Sequence, residues 1–290
     1  MDPQVIVNGL LLGSVYAAVG VGFSLTWGVL NIINIAHGAM VMLGAYVTFF
    51  LFEAFGLDPF LSIPASMAVL FVIGYALQRV VINRVIPYGV FMTLVLTFGL
   101  SLFFIDVALI LFSGDYRSVR PSYAGSGFSL AGTVISYQRL AIFATALLLV
   151  YALHVFLNRT KLGRAVRATA LNRASAQLLG VNIASIYAVT FGIGAAMAGA
   201  AGSLLAMTIT ITPVLGNAFI GKAFVVATLG GLGTIQGALV GGLILGLAES
   251  LGASLIGPSY QDAIGFGILV LILVLRPQGI MGKEFYAEVN

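Results

Sequence analysis

Fifty consecutive positions, Pro3 through Phe52, contain no Asp, Glu, Lys or Arg. Built as helix at 1.5 Å per residue they would reach about 75 Å, while the hydrocarbon core of a bilayer is about 30 Å thick. The run therefore has to cross a membrane twice. In a core without water each crossing must satisfy its own backbone, which a helix does. Composition extends this to the whole chain: 60% of the 290 residues are hydrophobic and 8% charged, with a mean hydropathy of +1.11. Soluble domains carry about 25% charged residues. We expect an all-α polytopic membrane protein forming one transmembrane domain over residues 1–290.

Spans are expected near Val5–Trp27, Ile33–Phe52, Phe60–Leu77, Val90–Phe112, Leu140–Leu157, Ser185–Met207, Ile235–Ser250 and Ala263–Leu275. Gly216–Leu232 has two readings. It crosses and turns at Gly230–Gly233, or it is a broken, re-entrant half-helix. The count is thus eight or nine membrane segments. The amino terminus, MDPQVIVNG, lacks the basic n-region of a signal peptide, so the first span is expected to be retained. Arg276 and Lys283 favour an internal tail, and Glu284 and Glu288 weaken that preference. The longest polar connection, Ser113–Arg139, is expected outside.

Orientation comes from Asn158–Asn182, which holds Arg159, Lys161, Arg164, Arg167 and Arg173, five of the thirteen basic residues, and no acid. Basic loops are retained on the cytoplasmic side, so residues 158–184 read as a cytoplasmic loop. From Ala165 to Gly180 the pattern predicts a short amphipathic helix, with Val166, Leu171, Leu178 and Leu179 spaced for contact and Gly180 as its stop. Because the positive charge collects here, the net +4 needs no nucleic-acid partner to explain it.

Polar groups inside the spans are few. Asn31, Asn34 and His37 recur at i, i+3, i+6; they either cap the broken start of the second span or border a polar route. Thr93, Thr97 and Ser101 share a stripe of the fourth span and either line that route or bond to their own helix carbonyls. Asp106 is the one acid well inside a span, with proton coupling, an ion pair or an interfacial position open to it. Glu249 reads as an interface residue and Lys222 as an outer-interface anchor. Gly233, Gly237 and Gly241, with Gly230 and Gly231, form a small-residue face for close helix packing or a hinge.

Gly216–Lys222 satisfies G-x-x-x-x-G-K, yet Ala223 stands where a phosphate loop needs Ser or Thr, and no strand precedes it. The two histidines lie in distant spans without Cys, so no metal site is expected. No paired-carboxylate, HExxH or G-x-S-x-G signature occurs, so no enzymatic chemistry is expected.

Three stretches carry a resemblance: NGLLLGSVYAAVGVGFSLTWGVLNIINIAHGAMVMLGAY, KAFVVATLGGLGTIQGALVGGLILGLAESL and VLRPQGIMG. Together they resemble the permease family of branched-chain amino acid ABC importers, most closely its H-type subunit, over essentially the whole chain. The resemblance implies one permease domain in the bacterial inner membrane, moving Leu, Ile or Val inward. Close relatives carry urea and short amides, and a stand-alone ion-coupled carrier is the reading from a different class. Implied partners are a second, M-type permease, two cytoplasmic ABC ATPases that hold ATP and magnesium, and a periplasmic amino acid binding protein. This chain itself binds no cofactor. The family's ATPase-coupling element falls on Gly163–Val181, where Ala174, Leu178 and Gly180 match its A…L-L-G pattern. Arg164, Arg167 and Leu171 would take part, and Asn172 stands where relatives often carry an acid. Arg173 would add to the charge of that contact.

Overall fold

The computed structural model describes residues 3–130 and 133–282. Its helices are α1 (Pro3–Leu30), α2 (Ala36–Phe55), α3 (Pro59–Leu77), the single turn α4 (Asn83–Val85), α5 (Val90–Phe112), α6 (Tyr137–Arg159), α7 (Lys161–Leu171), α8 (Arg173–Leu178), α9 (Ile183–Ala206), α10 (Leu215–Gly230), α11 (Ile235–Leu255) and α12 (Gln261–Leu275). Among the described residues, eight stretches are long and apolar enough to cross a membrane, those of α3 and α12 lengthened by short turns. The chain is an all-α polytopic membrane protein.

α1 and α9 sit at the centre because glycine lets neighbours reach their backbones. Gly9 and Gly13 of α1 abut the α11 backbone at Gly246–Leu247 and Gly242–Leu243, Gly22 abuts Gly194 of α9, and Gly28 abuts Gly233. A Cβ at any of these would overlap main chain, so the close approach depends on its absence. Around this centre α3 packs on α9 through Gly74, Gly192 and Gly199. α5 and α12 lie outermost, burying little of their surface.

α2 does not start at the membrane surface. Asn31 adopts φ +53° and ends α1, and residues 31–35 fold back so that His37 Nε2 lies 2.9 Å from the Val19 carbonyl, in mid-α1. Val19 is eleven residues from the end of α1, about 16 Å along its axis. Such a non-helical stretch at depth needs partners for its backbone. Thr97 of α5 supplies them, accepting the Ile35 N–H (3.2 Å) and donating to Ile33 O (2.9 Å).

Residues 215–230 form α10. The loop before it is held to the connection that follows α5, by Arg117 and Ile211 exchanging backbone hydrogen bonds at 3.0 and 2.8 Å. Gly216 then meets Gly38, and the helix runs sixteen residues to Gly230. At the far end Gly231 (φ +106°) and Gly233 (φ +84°) make the turn into α11. Ile280 N–H donates to Leu229 O (2.9 Å) and Met281 N–H to Gly230 O (3.0 Å), so the segment after α12 docks on that turn. α10 is thus an apolar helix shorter than the eight candidate spans, and residues 279–282 lie against Gly231, whose neighbour Gly233 meets Gly28 near the end of α1. Lys283, Glu284 and Glu288 lie outside the described residues.

Lys222 and Glu249, each expected singly at an interface, are paired with each other. Lys222 Nζ lies 2.8 Å from Glu249 Oε1 and 2.9 Å from Asp262 Oδ1. Tyr16 Oη donates to Glu249 Oε2 at 2.7 Å, and its ring lies 4.9 Å from the Lys222 ammonium. Glu249 is 1% exposed. An ammonium in this setting is stabilised more by two carboxylates than by stretching to water. The expectation lacked Asp262 and Tyr16, which come from remote helices. The connection after α5 holds an antiparallel hairpin, β1 (Gly127–Leu130) with β2 (Thr133–Ser136), and Tyr123 Oη donates to Asp58 Oδ2 at 2.9 Å.

Candidate functional site

The basic segment is two helices, where one had been expected. Thr160 caps α7, its hydroxyl accepting the Gly163 N–H at 2.9 Å. Gly163 lies against the backbone of Phe156 and Leu157, so α7 folds tightly back on α6. Gly163, Val166 and Thr169 form its buried face. Asn172 then breaks the helix with extended backbone and caps α8, its Oδ1 accepting the Ser175 N–H at 2.9 Å. A side chain that satisfies a free helix N–H favours a new start over continuation. Gly180 (φ +83°) ends α8 as the pattern had suggested.

The outer surface of this element is apolar and cationic together. Leu171, Leu178 and Leu179 are 78%, 89% and 83% exposed, so they make no buried contact within the chain. Of the four positions spaced for contact, Val166 alone is buried within the chain. Arg164 and Ala174 face outward too, and Arg167 donates to Asn158 Oδ1 at 2.8 Å while its residue stays exposed. Three large leucines beside arginines, on a short rigid element, form a surface suited to a partner groove.

Arg173 points the other way. Its Nη2 donates to Leu30 O, the last carbonyl of α1, at 3.1 Å. With the Asn31 amide turned so that its oxygen faces the guanidinium, Asn31 Oδ1 accepts from the same nitrogen at 3.1 Å. The guanidinium carbon also lies 5.4 Å from the centre of the Tyr187 ring. A cation at a helix C-terminus complements free carbonyls and the helix dipole. Arg173, an exposed residue, thereby ties α8 to the break between α1 and α2.

The other polar candidates gather at the same break. His37 bonds Val19 O and packs edge-on against Phe23. Asn34 is buried, its Oδ1 and His37 Nδ1 without a hydrogen-bond partner among the described residues. Thr97 bridges Ile33 and Ile35, while Thr93 donates to Val90 O of its own helix turn at 2.8 Å. Ser101 lies on the same buried face of α5. Gly230, Gly231, Gly233, Gly237 and Gly241 form the α10–α11 hairpin, in which Gly237 contacts Gly230 and Gly241 contacts Val226. The G-x-x-x-x-G-K match is the first two turns of α10, with Lys222 already engaged by carboxylates.

Sequence reasoning missed Arg173's bond to Leu30, 143 residues away, and the Tyr16–Glu249–Lys222–Asp262 group. Charge inside apolar runs was the available signal for the latter.

The sequence matches the family described as branched-chain amino acid transport system, permease component, over residues 5–273. It is 39% identical to the high-affinity branched-chain amino acid transport system permease protein BraD of Pseudomonas aeruginosa, covering 97% of this chain and 95% of that one. It is 35% identical to LivH, the permease protein of the same name in Escherichia coli, covering 97% and 95%. A probable branched-chain amino acid transport permease of Methanocaldococcus jannaschii is 29% identical over 98% and 94%. No solved structure matches.

Proposed function

The chain belongs to the branched-chain amino acid transport system permease family, and from that premise we propose that it is the permease subunit of an ATP-driven importer for Leu, Ile and Val. It is a multi-pass membrane protein. In this reading it lies in a bacterial inner membrane with the basic face in the cytoplasm. It pairs with a second permease and takes substrate from a periplasmic binding protein. ATP and magnesium sit in two cytoplasmic ATPase subunits, and transport, not catalysis, is this chain's part.

The observation that carries the reading is the α7–α8 element. Its exposed Leu171, Leu178 and Leu179 fit an ATPase groove, and Arg164 and Arg167 add attraction at its rim. Asn172 and Gly180 fix its shape, and Ala174 lies on its exposed side. Rigid-body movement of the motor then reaches the bundle through Arg173, at the Asn31–His37 break. That break, with Thr93 and Thr97, borders the proposed substrate route, and the Gly230–Gly241 hairpin is the second hinge.

Uptake of labelled leucine by proteoliposomes tests the proposal. The purified complex should import only with ATP and binding protein. Gradient-driven uptake by this chain alone would overturn it.

A further inference from the structure

Along α5, Met92, Val95, Gly99, Leu102, Asp106 and Leu109 recur at spacings of three, four, three, four and three residues, and all six are exposed. Alternating spacings of three and four draw a nearly straight seam on a helix, the pattern by which two helices interlock. The opposite stripe, Thr93, Thr97, Ser101, Ile105 and Ala108, is the one buried in the bundle. Midway along the seam, Gly99 has nothing within 4 Å of where a Cβ would stand, leaving room for an incoming side chain.

Asp106 decides what covers this seam. It lies six residues before the end of α5, about 9 Å along the axis, with exposed Leu109, Ile110 and Leu111 beyond it. Among the described residues it has no ion pair and its carboxylate accepts no hydrogen bond. Facing lipid, a carboxylate costs on the order of 3 kcal/mol at the middle of a span on the mildest scale, and less towards its end. α12 gives the contrast: its exposed Phe266, Gly267, Val270, Leu271 and Val274 are uncharged, as lipid requires.

We propose that the α5 seam is the docking face for a helix of a second, non-identical permease subunit, which sets a Lys, Arg or other hydrogen-bond donor opposite Asp106. A second copy of this chain does not fit. Two copies of one seam packed in parallel about a two-fold axis set like residues against like, bringing two Asp106 carboxylates together. The inference rests on the importer reading and assigns one interface within it.

The test uses the transporter purified intact from its native membrane. A benzophenone side chain placed at Leu102 should crosslink to a second polytopic chain of the permease family, while the same group at Val270 labels lipid. Gly99→Leu and Asp106→Arg should each lower recovery of that second permease roughly tenfold. Gly267→Leu, at an equally open α12 glycine, should leave recovery unchanged. If Asp106→Arg fails to insert, Gly99→Leu against Gly267→Leu decides the matter. Labelling of lipid or of another copy from Leu102, or full recovery in Gly99→Leu, overturns the seam. If the same preparation still imports amino acid with ATP, only the seam is lost. Absence of ATP-dependent import removes the importer reading and the seam with it.

Discussion

Arg173 of α8 donates to the carbonyl oxygen of Leu30 across 3.1 Å, joining the basic segment to the last residue of α1. The bond crosses from an element whose other face is exposed to the one place where the first helix pair is not helical. Any displacement of α8 is thereby felt at Asn31, where the backbone already holds φ +53°. A planar guanidinium, which bonds the carbonyl while stacking on Tyr187, suits that post better than an ammonium.

Arg173→Gln should therefore uncouple the transporter. ATP hydrolysis by the complex should persist, while leucine uptake falls roughly tenfold, a loss on the scale of one charged hydrogen bond. Arg173→Lys should restore part of the uptake. Unchanged moles of ATP spent per leucine moved in the Gln variant would show that the bond transmits nothing.

Leu178→Asp removes the most exposed of the three leucines and sets an acid among arginines. Hydrophobic anchors of this kind cost about 2 kcal/mol or more when lost from an interface. The ATPase should co-purify poorly, with the permease bundle still melting as the parent does. Normal assembly and ATP-driven uptake would mean the element docks elsewhere.

Thr97→Val keeps the volume and loses the hydroxyl between Ile33 and Ile35. The freed N–H and carbonyl, far from water, should cost about 1–3 kcal/mol. Thermal unfolding in detergent reads this, and a melting point equal to the parent's would show that another group satisfies the break.

Lys222→Ala leaves Glu249, 1% exposed, without its cation. Breaking a buried pair from one side costs about 3–5 kcal/mol, whereas removing both charges costs far less. Lys222→Met combined with Glu249→Gln should accordingly melt above Lys222→Ala. The reverse order would show that the pair is not what holds α10 to α11.

Asn31→Gly should be tolerated in the fold, because glycine takes positive φ freely. It removes only the amide that receives Arg173. Melting within experimental error of the parent, together with weakened coupling, is the expected pair of results. A large loss of stability would instead mark the Asn31 side chain as structural.

The spans were legible because an uncharged run longer than the bilayer has few solutions, and positive charge marked the face that carries α7 and α8. Gly230, Gly231 and Gly233 announced a tight hairpin. Asn172 was visible as a departure from the family pattern, and its consequence, a helix broken in two, lies in a local bond that spacing does not report. The direction of Arg173 was not legible at all. Charge periodicity places it with Arg164 and Arg167, and only the nearness of Leu30 and Tyr187 turns it inward.

Hydrophobic length, glycine spacing and charge position are local properties, so the sequence alone settled that this chain crosses a membrane many times and where its basic element lies. Which polar groups meet was settled by tertiary structure. A carboxylate as buried as Glu249 needs partners, and Tyr16, Lys222 and, through Lys222, Asp262 reach it only when four helices find one packing.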